Sequence, residues 1–204
     1  MEDENIIPEV MNYSLEDRFT MENIENRRIY ITQEITGELA SEVVYHILRY
    51  NRCDKGIEVE KRNPIIVYID TCGGDCTAAF SIIDAIMMSK TPIYTVNIGK
   101  CYSAGVYIFL SGEKRYATPN STFLQHEGTF GVNDSYSKTI DAVEFDRIQY
   151  SSHIKNFVLD RTNVSAEQYD ANFRKEWYFY PTEGFEIGYV THIIGVNCDI
   201  DDIL

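Results

Sequence analysis

The sequence has no excess of basic charge. It contains 18 Lys and Arg residues against 32 Asp and Glu residues, which gives a formal net charge of −14 and an isoelectric point near 4.6. Affinity for nucleic acids depends on clustered Lys and Arg side chains, so this balance argues against a partner of that class. A strongly acidic surface is instead typical of a soluble protein.

Long apolar runs and an export signal are also missing. The longest apolar run, around residues 106–110, is far shorter than a membrane-spanning helix requires. The first five residues have neither the basic start nor the apolar core of a secretory signal peptide. We therefore expect a cytoplasmic protein with no membrane partner.

The number and spacing of the five cysteines predict neither disulfides nor a metal centre. The odd number of five thiols, in a chain without an export signal, favours reduced cysteines. Cys72 and Cys76 are four residues apart, but no nearby Cys or His pair completes a zinc site. We expect no metal and no cofactor.

The residues that are present predict an α/β domain. Apolar residues make up 44% of the 204 positions, enough for a substantial core. Residues 1–26 are polar and acidic and are predicted to form a loosely ordered arm, which leaves 27–204 as the folded domain. Alternating strand and helix patterns there favour a mainly parallel sheet with flanking helices. Strands are predicted at 28–32, 65–69, 93–98, 114–118, 122–125 and 189–194, and helices at 36–50, 77–88, 103–110, 140–160, 165–174 and 182–187.

Ser103 lies where the strand 93–98, ended by Gly99, gives way to an apolar helix. At the start of a helix, free backbone N–H groups and the helix dipole favour developing negative charge. A serine at this position is either an activated nucleophile or an ordinary helix N-cap. This stretch alone leaves both interpretations open.

A nucleophilic serine requires a general base, an acid that orients the base, and N–H donors for the oxyanion. Of the four histidines, only His126 follows a strand end and precedes a glycine-containing turn. His46 and His153 lie in helix patterns and His192 in a strand. His126 comes 23 residues after Ser103, which is enough chain to return to the same sheet edge.

Several motifs in this region resemble one known family. They are Ile-Asp-Thr-Cys-Gly-Gly at 69–74, Tyr-Ser-Ala-Gly at 102–105, Pro-Asn-Ser at 119–121 and Leu-Gln-His at 124–126. Their order and spacing are similar to those in the proteolytic subunits of the Clp protease family. These subunits are serine peptidases. The resemblance extends over residues 26–194. It implies a crotonase-like α/β fold with a projecting strand-helix handle at about 128–160, in which residues 128–138 are extended.

The resemblance also implies roles for individual residues. Ser103 would be the nucleophile and His126 the general base, and the backbone N–H groups of Gly74 and Ala104 would form the oxyanion hole. Substrate would lie extended along strand edges at Gly73 and Gly128.

The acid is implied by a second alignment. Placing the family's final glycine on Gly188 and its glutamate on Glu183 puts the acid at Glu176, with Asp170 as the second candidate. The family has aspartate there, but glutamate can also orient a histidine.

The chain departs from the family pattern in ways that indicate a divergent member. Ala104 replaces a methionine, Cys72 replaces a proline, and the Gln-Pro that follows the family's histidine is absent after His126. The N-terminal arm is acidic, whereas the family has an apolar loop there.

The leading hypothesis is a cytoplasmic serine endopeptidase that cleaves unfolded polypeptides or peptides through an acyl-enzyme. The resemblance implies self-association into stacked heptameric rings and an AAA+ unfoldase partner, with Tyr68 matching a position in the docking pocket. One alternative is a catalytically silent ring subunit that regulates an active paralogue. Another is a crotonase-fold acyl-CoA enzyme, which leaves the Ser103 and His126 matches unexplained.

Overall fold

The computed structural model describes residues 14–129 and 131–204. The strands are β1 (Arg28–Ile31), β2 (Ile65–Thr71), β3 (Ile93–Tyr102), β4 (Lys114–Ala117), β5 (Thr122–Gln125), β6 (Trp177–Phe179) and β7 (His192–Ile193). The α-helices are α1 (Leu15–Glu25), α2 (Gly37–Cys53), α3 (Cys76–Met88), α4 (Ala104–Ser111), α5 (Tyr136–Glu144), α6 (Ser151–Arg161), α7 (Ala166–Phe173) and α8 (Pro181–Glu186). No helix in the described ranges is long and apolar enough to cross a membrane.

The strands form one sheet in the order β1-β2-β3-β4-β7, and all of these neighbours run parallel. β5 also pairs in parallel with β3 and continues the sheet antiparallel to β6. The apolar run of β2 predicts a strand covered on both faces, and the structure confirms it. Ile65, Val67 and Ile69 lie in the main core with the helices, whereas Ile66 and Tyr68 lie in a smaller cluster on the opposite face.

A short 3₁₀ turn, Ile200–Ile203, covers that smaller cluster. Ile203 is buried there, and the Tyr68 hydroxyl donates a hydrogen bond to the Ile203 carbonyl at 2.5 Å. Tyr68 is therefore a buried side chain within this chain.

β3 is longer than predicted and changes partner along its length. Residues 94–97 pair with β4, whereas residues 100–102 pair with β5. The prediction that Gly99 ends this strand was wrong. A Cβ at Gly99 would lie 2.7 Å from Asp70 Oδ1, and this carboxylate accepts a hydrogen bond from the next backbone N–H. The glycine thus lets the strand pass Asp70 and continue to Ser103.

Part of the N-terminal segment is a helix and not the loosely ordered arm predicted for residues 1–26. The Ser14 hydroxyl accepts a hydrogen bond from Asp17 N–H at 3.0 Å, and the Asp17 carboxylate accepts one from Ser14 N–H at 3.1 Å. This reciprocal capping box fixes the start of α1. Residues 1–13 lie outside the described residues.

The helix predicted at 140–160 begins earlier and is interrupted. It starts at Tyr136 as α5, passes through a π-helical segment at Phe145–Tyr150 and continues as α6. Residues 136–138, which were expected to be extended, belong to this helix. The π-helical segment explains why the apolar stripe of this region is irregular in the sequence.

The end of α2 is joined to the start of β1 by a partly buried ion pair. Asp54 is 1% exposed and accepts two hydrogen bonds from the Arg27 guanidinium, at 2.6 and 2.7 Å. It accepts a third, at 2.7 Å, from the Thr91 hydroxyl. The hydrogen bonds from Arg27 are the main reason that the pKa of Asp54 lies below its usual range.

We expect Asp54→Asn to lower the free energy of unfolding by about 3 kcal/mol at pH 7, because Arg27 loses its charged partner. The folded-state pKa of Asp54 lies below its unfolded value, so this contribution is present above about pH 4. It disappears as the pH falls through the folded-state pKa. Urea denaturation of the wild type and Asp54→Asn should therefore show that the difference between their free energies of unfolding becomes smaller as the pH is lowered from 7 to 3. A pH-independent difference would show that the charge of Asp54 is not what stabilises the fold.

Candidate active site

Ser103 has an unusual backbone conformation at the junction of β3 and α4. Its φ is 53° and its ψ is −124°, and Arg27 is the only other non-glycine residue in the described ranges with a positive φ. Such a conformation costs about 1–3 kcal/mol and persists only where its surroundings enforce it. Here the Ser103 N–H donates to the Leu124 carbonyl at 2.8 Å, and the Ser103 carbonyl accepts from Val106 N–H at 3.0 Å.

The side chain of Ser103 does not act as an ordinary helix cap. A capping serine has extended backbone angles and accepts a hydrogen bond from the first turn. Ser103 has neither property, and its hydroxyl makes no capping hydrogen bond to the described first turn of α4. A serine on a sharp, strained strand-to-helix turn is instead the arrangement that exposes a nucleophile.

The glycine pair Gly73–Gly74 forms a tight turn against Ser103, with φ values of 99° and 148°. A Cβ at Gly73 would lie 2.7 Å from Ser103 Cβ, and one at Gly74 would lie 2.4 Å from the Ile35 carbonyl oxygen. Ile35 also anchors the turn, since its N–H donates to Gly73 O at 2.9 Å and its carbonyl accepts from Asp75 N–H at 2.8 Å. Only glycine fits at either position.

Two backbone N–H groups near Ser103, those of Gly74 and Ala104, make no hydrogen bond within the described residues. Ala104 is the first residue of α4, so its N–H has no partner within the helix. The Gly73 N–H, in contrast, donates to the Thr71 hydroxyl at 3.1 Å.

His126 and Glu176 meet because they extend a strand pair. The β5–β6 ladder pairs Gln125 with Trp177, so the next residues, His126 and Glu176, also face each other. His126 Nδ1 lies 2.9 Å from Glu176 Oε1, with His126 26% and Glu176 58% exposed. The contact leaves Nε2 free for another partner.

The strand β6 was not predicted from the sequence. The alternation of inward Trp177 and Phe179 with outward Tyr178 is a strand signal that was available. The short length of β6, three residues between α7 and α8, weakens that signal.

The second candidate acid, Asp170, lies elsewhere. It belongs to α7, and both of its carboxylate oxygens lie 2.7 Å from Lys155 Nζ on α6. This exposed ion pair joins two helices and involves no histidine.

The structure joins these groups only in part. It brings His126 to Glu176 and packs Gly73 against Ser103. Among the residues it describes, no hydrogen bond joins the Ser103 hydroxyl to His126. Catalytic hydrogen bonds are often long without substrate and tighten when it binds.

The remaining predicted position is Gly128, which lies in the exposed stretch after His126. A Cβ there would have no heavy atom within 4 Å. Within the described part of the chain, no three His, Cys, Asp or Glu side chains are arranged to hold a metal ion.

The sheet thus places a serine with a strained backbone at the carboxyl end of β3, and a carboxylate-paired histidine at the end of the neighbouring strand β5. Sequence comparison then identifies the family. The chain belongs to the Clp protease family, whose model matches residues 15–197.

Known proteins agree with this assignment. The chain is 28% identical over 188 residues to the ATP-dependent Clp protease proteolytic subunit 2 of Treponema pallidum, covering 91% of this chain and 90% of that protein. It is 29% identical over 201 residues to the proteolytic subunit 1 of Leifsonia xyli, covering 95% and 91%. The solved structure of a ClpP1 mutant from Listeria monocytogenes matches with a TM-score of 0.75 and 26% identity, over 91% of this chain and 99% of that chain. The resemblance and the α/β fold class predicted from the sequence are confirmed.

Proposed function

We propose that this chain is a serine endopeptidase subunit that hydrolyses unfolded polypeptides or peptides through an acyl-enzyme. The observation that carries the proposal is the strained turn at Ser103, with two unpaired N–H groups beside it in the described part of the chain. Membership of the Clp protease family supports a proteolytic function. The His126–Glu176 pair supplies the remaining chemical groups.

In the proposed reaction, Ser103 Oγ attacks the peptide carbonyl while His126 Nε2 takes the serine proton. Glu176 accepts the Nδ1–H and stabilises the imidazolium that forms. The N–H groups of Gly74 and Ala104 donate to the oxyanion. His126 then gives the proton to the leaving amine, and a water molecule activated by His126 hydrolyses the acyl-enzyme.

Substrate binding completes the arrangement in this proposal. The nucleophile and the base lie at the ends of β3 and β5, which are paired neighbours. In this proposal a side-chain movement on substrate binding forms the Ser103–His126 hydrogen bond. Substrate pairs in extended form with the strand edges near Gly73 and Gly128, so it is recognised mainly through its backbone.

The proposal includes assembly. Two of the relatives are named as proteolytic subunits of ATP-dependent Clp proteases, which supports a subunit that works with other chains. In this proposal the chain forms stacked heptameric rings in the cytoplasm and receives substrate from an AAA+ unfoldase, and the handle over about 128–160 lies between the rings. Exposed apolar side chains on α5 and the π-helical segment are available for this contact; they are Tyr136, Ile140, Val143, Phe145 and Ile148.

Glu176→Gln tests the chemistry. It keeps the size of the side chain but removes its charge, so the imidazolium loses its partner, and we expect hydrolysis of a fluorogenic peptide to fall by about 10³-fold. Asp170→Asn is the matched control, because it neutralises the other candidate acid and breaks only an exposed ion pair. Its rate should stay within about twofold of the wild type.

The outcomes separate the hypotheses. If Asp170→Asn hydrolyses the peptide slowly and Glu176→Gln hydrolyses it at the wild-type rate, the acid has been assigned to the wrong residue. If the wild-type ring forms but hydrolyses neither peptides nor an unfolded protein, the chain is the catalytically silent subunit of the alternative hypothesis. The missing Ser103–His126 hydrogen bond, among the described residues, is the observation that favours this alternative.

A further inference from the structure

Tyr178 lies on the strand that carries the proposed acid. Side chains two residues apart on a strand point to the same face, so Tyr178 shares its face of β6 with the adjoining Glu176. It is 57% exposed, whereas its neighbour Phe179 is buried on the opposite face. This large aromatic side chain is therefore not held in place by burial in the core.

The ring of Tyr178 also reaches the strand of the nucleophile. It makes an edge-to-face contact with Tyr102, the residue before Ser103, with ring centroids 5.9 Å apart and an interplanar angle of 85°. The Tyr102 hydroxyl is itself hydrogen-bonded to the Thr122 hydroxyl at 2.9 Å. β6 and β3 are already linked through β5, which pairs with both strands. The contact of Tyr178 with Tyr102 adds a direct link between β6 and the end of β3.

Holding the Glu176 carboxylate against His126 restricts more side-chain rotation than holding an aspartate there would. The Glu176 side chain is one methylene longer and 58% exposed, and it has more rotamers to lose when it is held against His126. Within residues 14–129 and 131–204, its side chain makes one hydrogen bond, to His126. Partial desolvation and then the nearby Glu176 carboxylate raise the pKa of the Tyr178 phenol, which is consistent with a hydroxyl that faces this carboxylate.

We propose that Tyr178 is a positioning residue that donates a hydrogen bond from its hydroxyl to Glu176 while its ring rests on Tyr102. The inference rests on the proposed function. Tyr178 touches neither the substrate nor the reacting atoms. It restricts Glu176 to the conformation that holds His126, and it acts only through Glu176.

A double-mutant cycle tests this role. The rate of covalent labelling by a fluorophosphonate is measured for the wild type, Tyr178→Phe, Glu176→Gln and the double variant. Tyr178→Phe retains the ring contact and removes only the hydroxyl, so we expect labelling to slow by about fivefold, the effect of one hydrogen bond of ordinary strength. In the Glu176→Gln background the same change should have a much smaller effect, because an amide oxygen is a weaker acceptor than a carboxylate and no longer stabilises the imidazolium.

Tyr180→Phe is the matched control. Tyr180 follows β6, is 61% exposed and should tolerate loss of its hydroxyl without a change in the labelling rate. The positioning role would be overturned, with the proposed function intact, by either of two results. One is an unchanged labelling rate in Tyr178→Phe; the other is an equal fall in labelling rate in the wild-type and Glu176→Gln backgrounds. If the wild type itself is not labelled, the proposed function fails and this inference fails with it.

Discussion

A chain carrying Ser103→Ala is expected to hydrolyse peptides about 10⁶-fold more slowly than the wild type, or not measurably. The substitution removes the nucleophile but keeps a Cβ, so the backbone at φ 53° remains as strained as before. The residue is half-buried, and its hydroxyl makes no capping hydrogen bond to the described first turn of α4. The melting temperature should therefore stay within about 2 °C of the wild type.

Ser103→Gly separates the chemistry from the strain. Glycine adopts positive φ values without a steric penalty, so this variant should be about 1 kcal/mol more stable than Ser103→Ala and equally inactive. Urea denaturation of the two variants measures the difference. If Ser103→Gly is no more stable than Ser103→Ala, the turn does not store the strain that we assign to it. If either variant keeps wild-type hydrolysis, another residue is the nucleophile.

The second large effect is expected for Gly74→Ala. A Cβ at this position would lie 2.4 Å from Ile35 O and 2.7 Å from Ile35 N, and the residue has a φ of 148°. Because backbone atoms cannot move aside as a flexible side chain can, the turn must shift. We expect a loss of about 3 kcal/mol in stability and a fall of about 100-fold or more in fluorophosphonate labelling, since a proposed oxyanion donor moves.

Gly37→Ala is the control for this prediction. Gly37 begins α2, and an added Cβ there would meet nothing within 4 Å. Stability should be unchanged or slightly higher, because alanine favours a helix more than glycine does. A Gly74→Ala protein that folds and reacts like the wild type would contradict the proposed role of this turn.

The sheet was largely predictable from the sequence because its strands have simple patterns. The apolar run at 65–69 and the amphipathic pattern of α2 each identify one element without ambiguity. The predicted strand ended before Gly99 because glycine is unfavourable inside a strand. Only the tertiary contact with Asp70 explains why β3 continues through Gly99. α1 was missed because its capping box uses Asp17 where glutamate or glutamine is more usual.

The candidate site was predictable to a lesser extent. The position of Ser103 at a strand-to-helix junction could be predicted, but its backbone angles depend on the contact with β5 and the Gly73 turn. The alignment that selected Glu176 gave no account of how this residue reaches His126. The β5–β6 pairing provides that account, and it depends on a three-residue strand whose sequence signal is weak. The catalytic roles of these residues remain predictions.

The most direct test of the central claim is the intact mass of the protein after exposure to a fluorophosphonate, with light scattering on the same sample. We predict one adduct per chain on a particle the size of a ring, and no adduct on an equally large particle of Ser103→Ala. An adduct that persists in Ser103→Ala, or a well-formed wild-type ring with no adduct, would contradict the claim that Ser103 is an activated nucleophile.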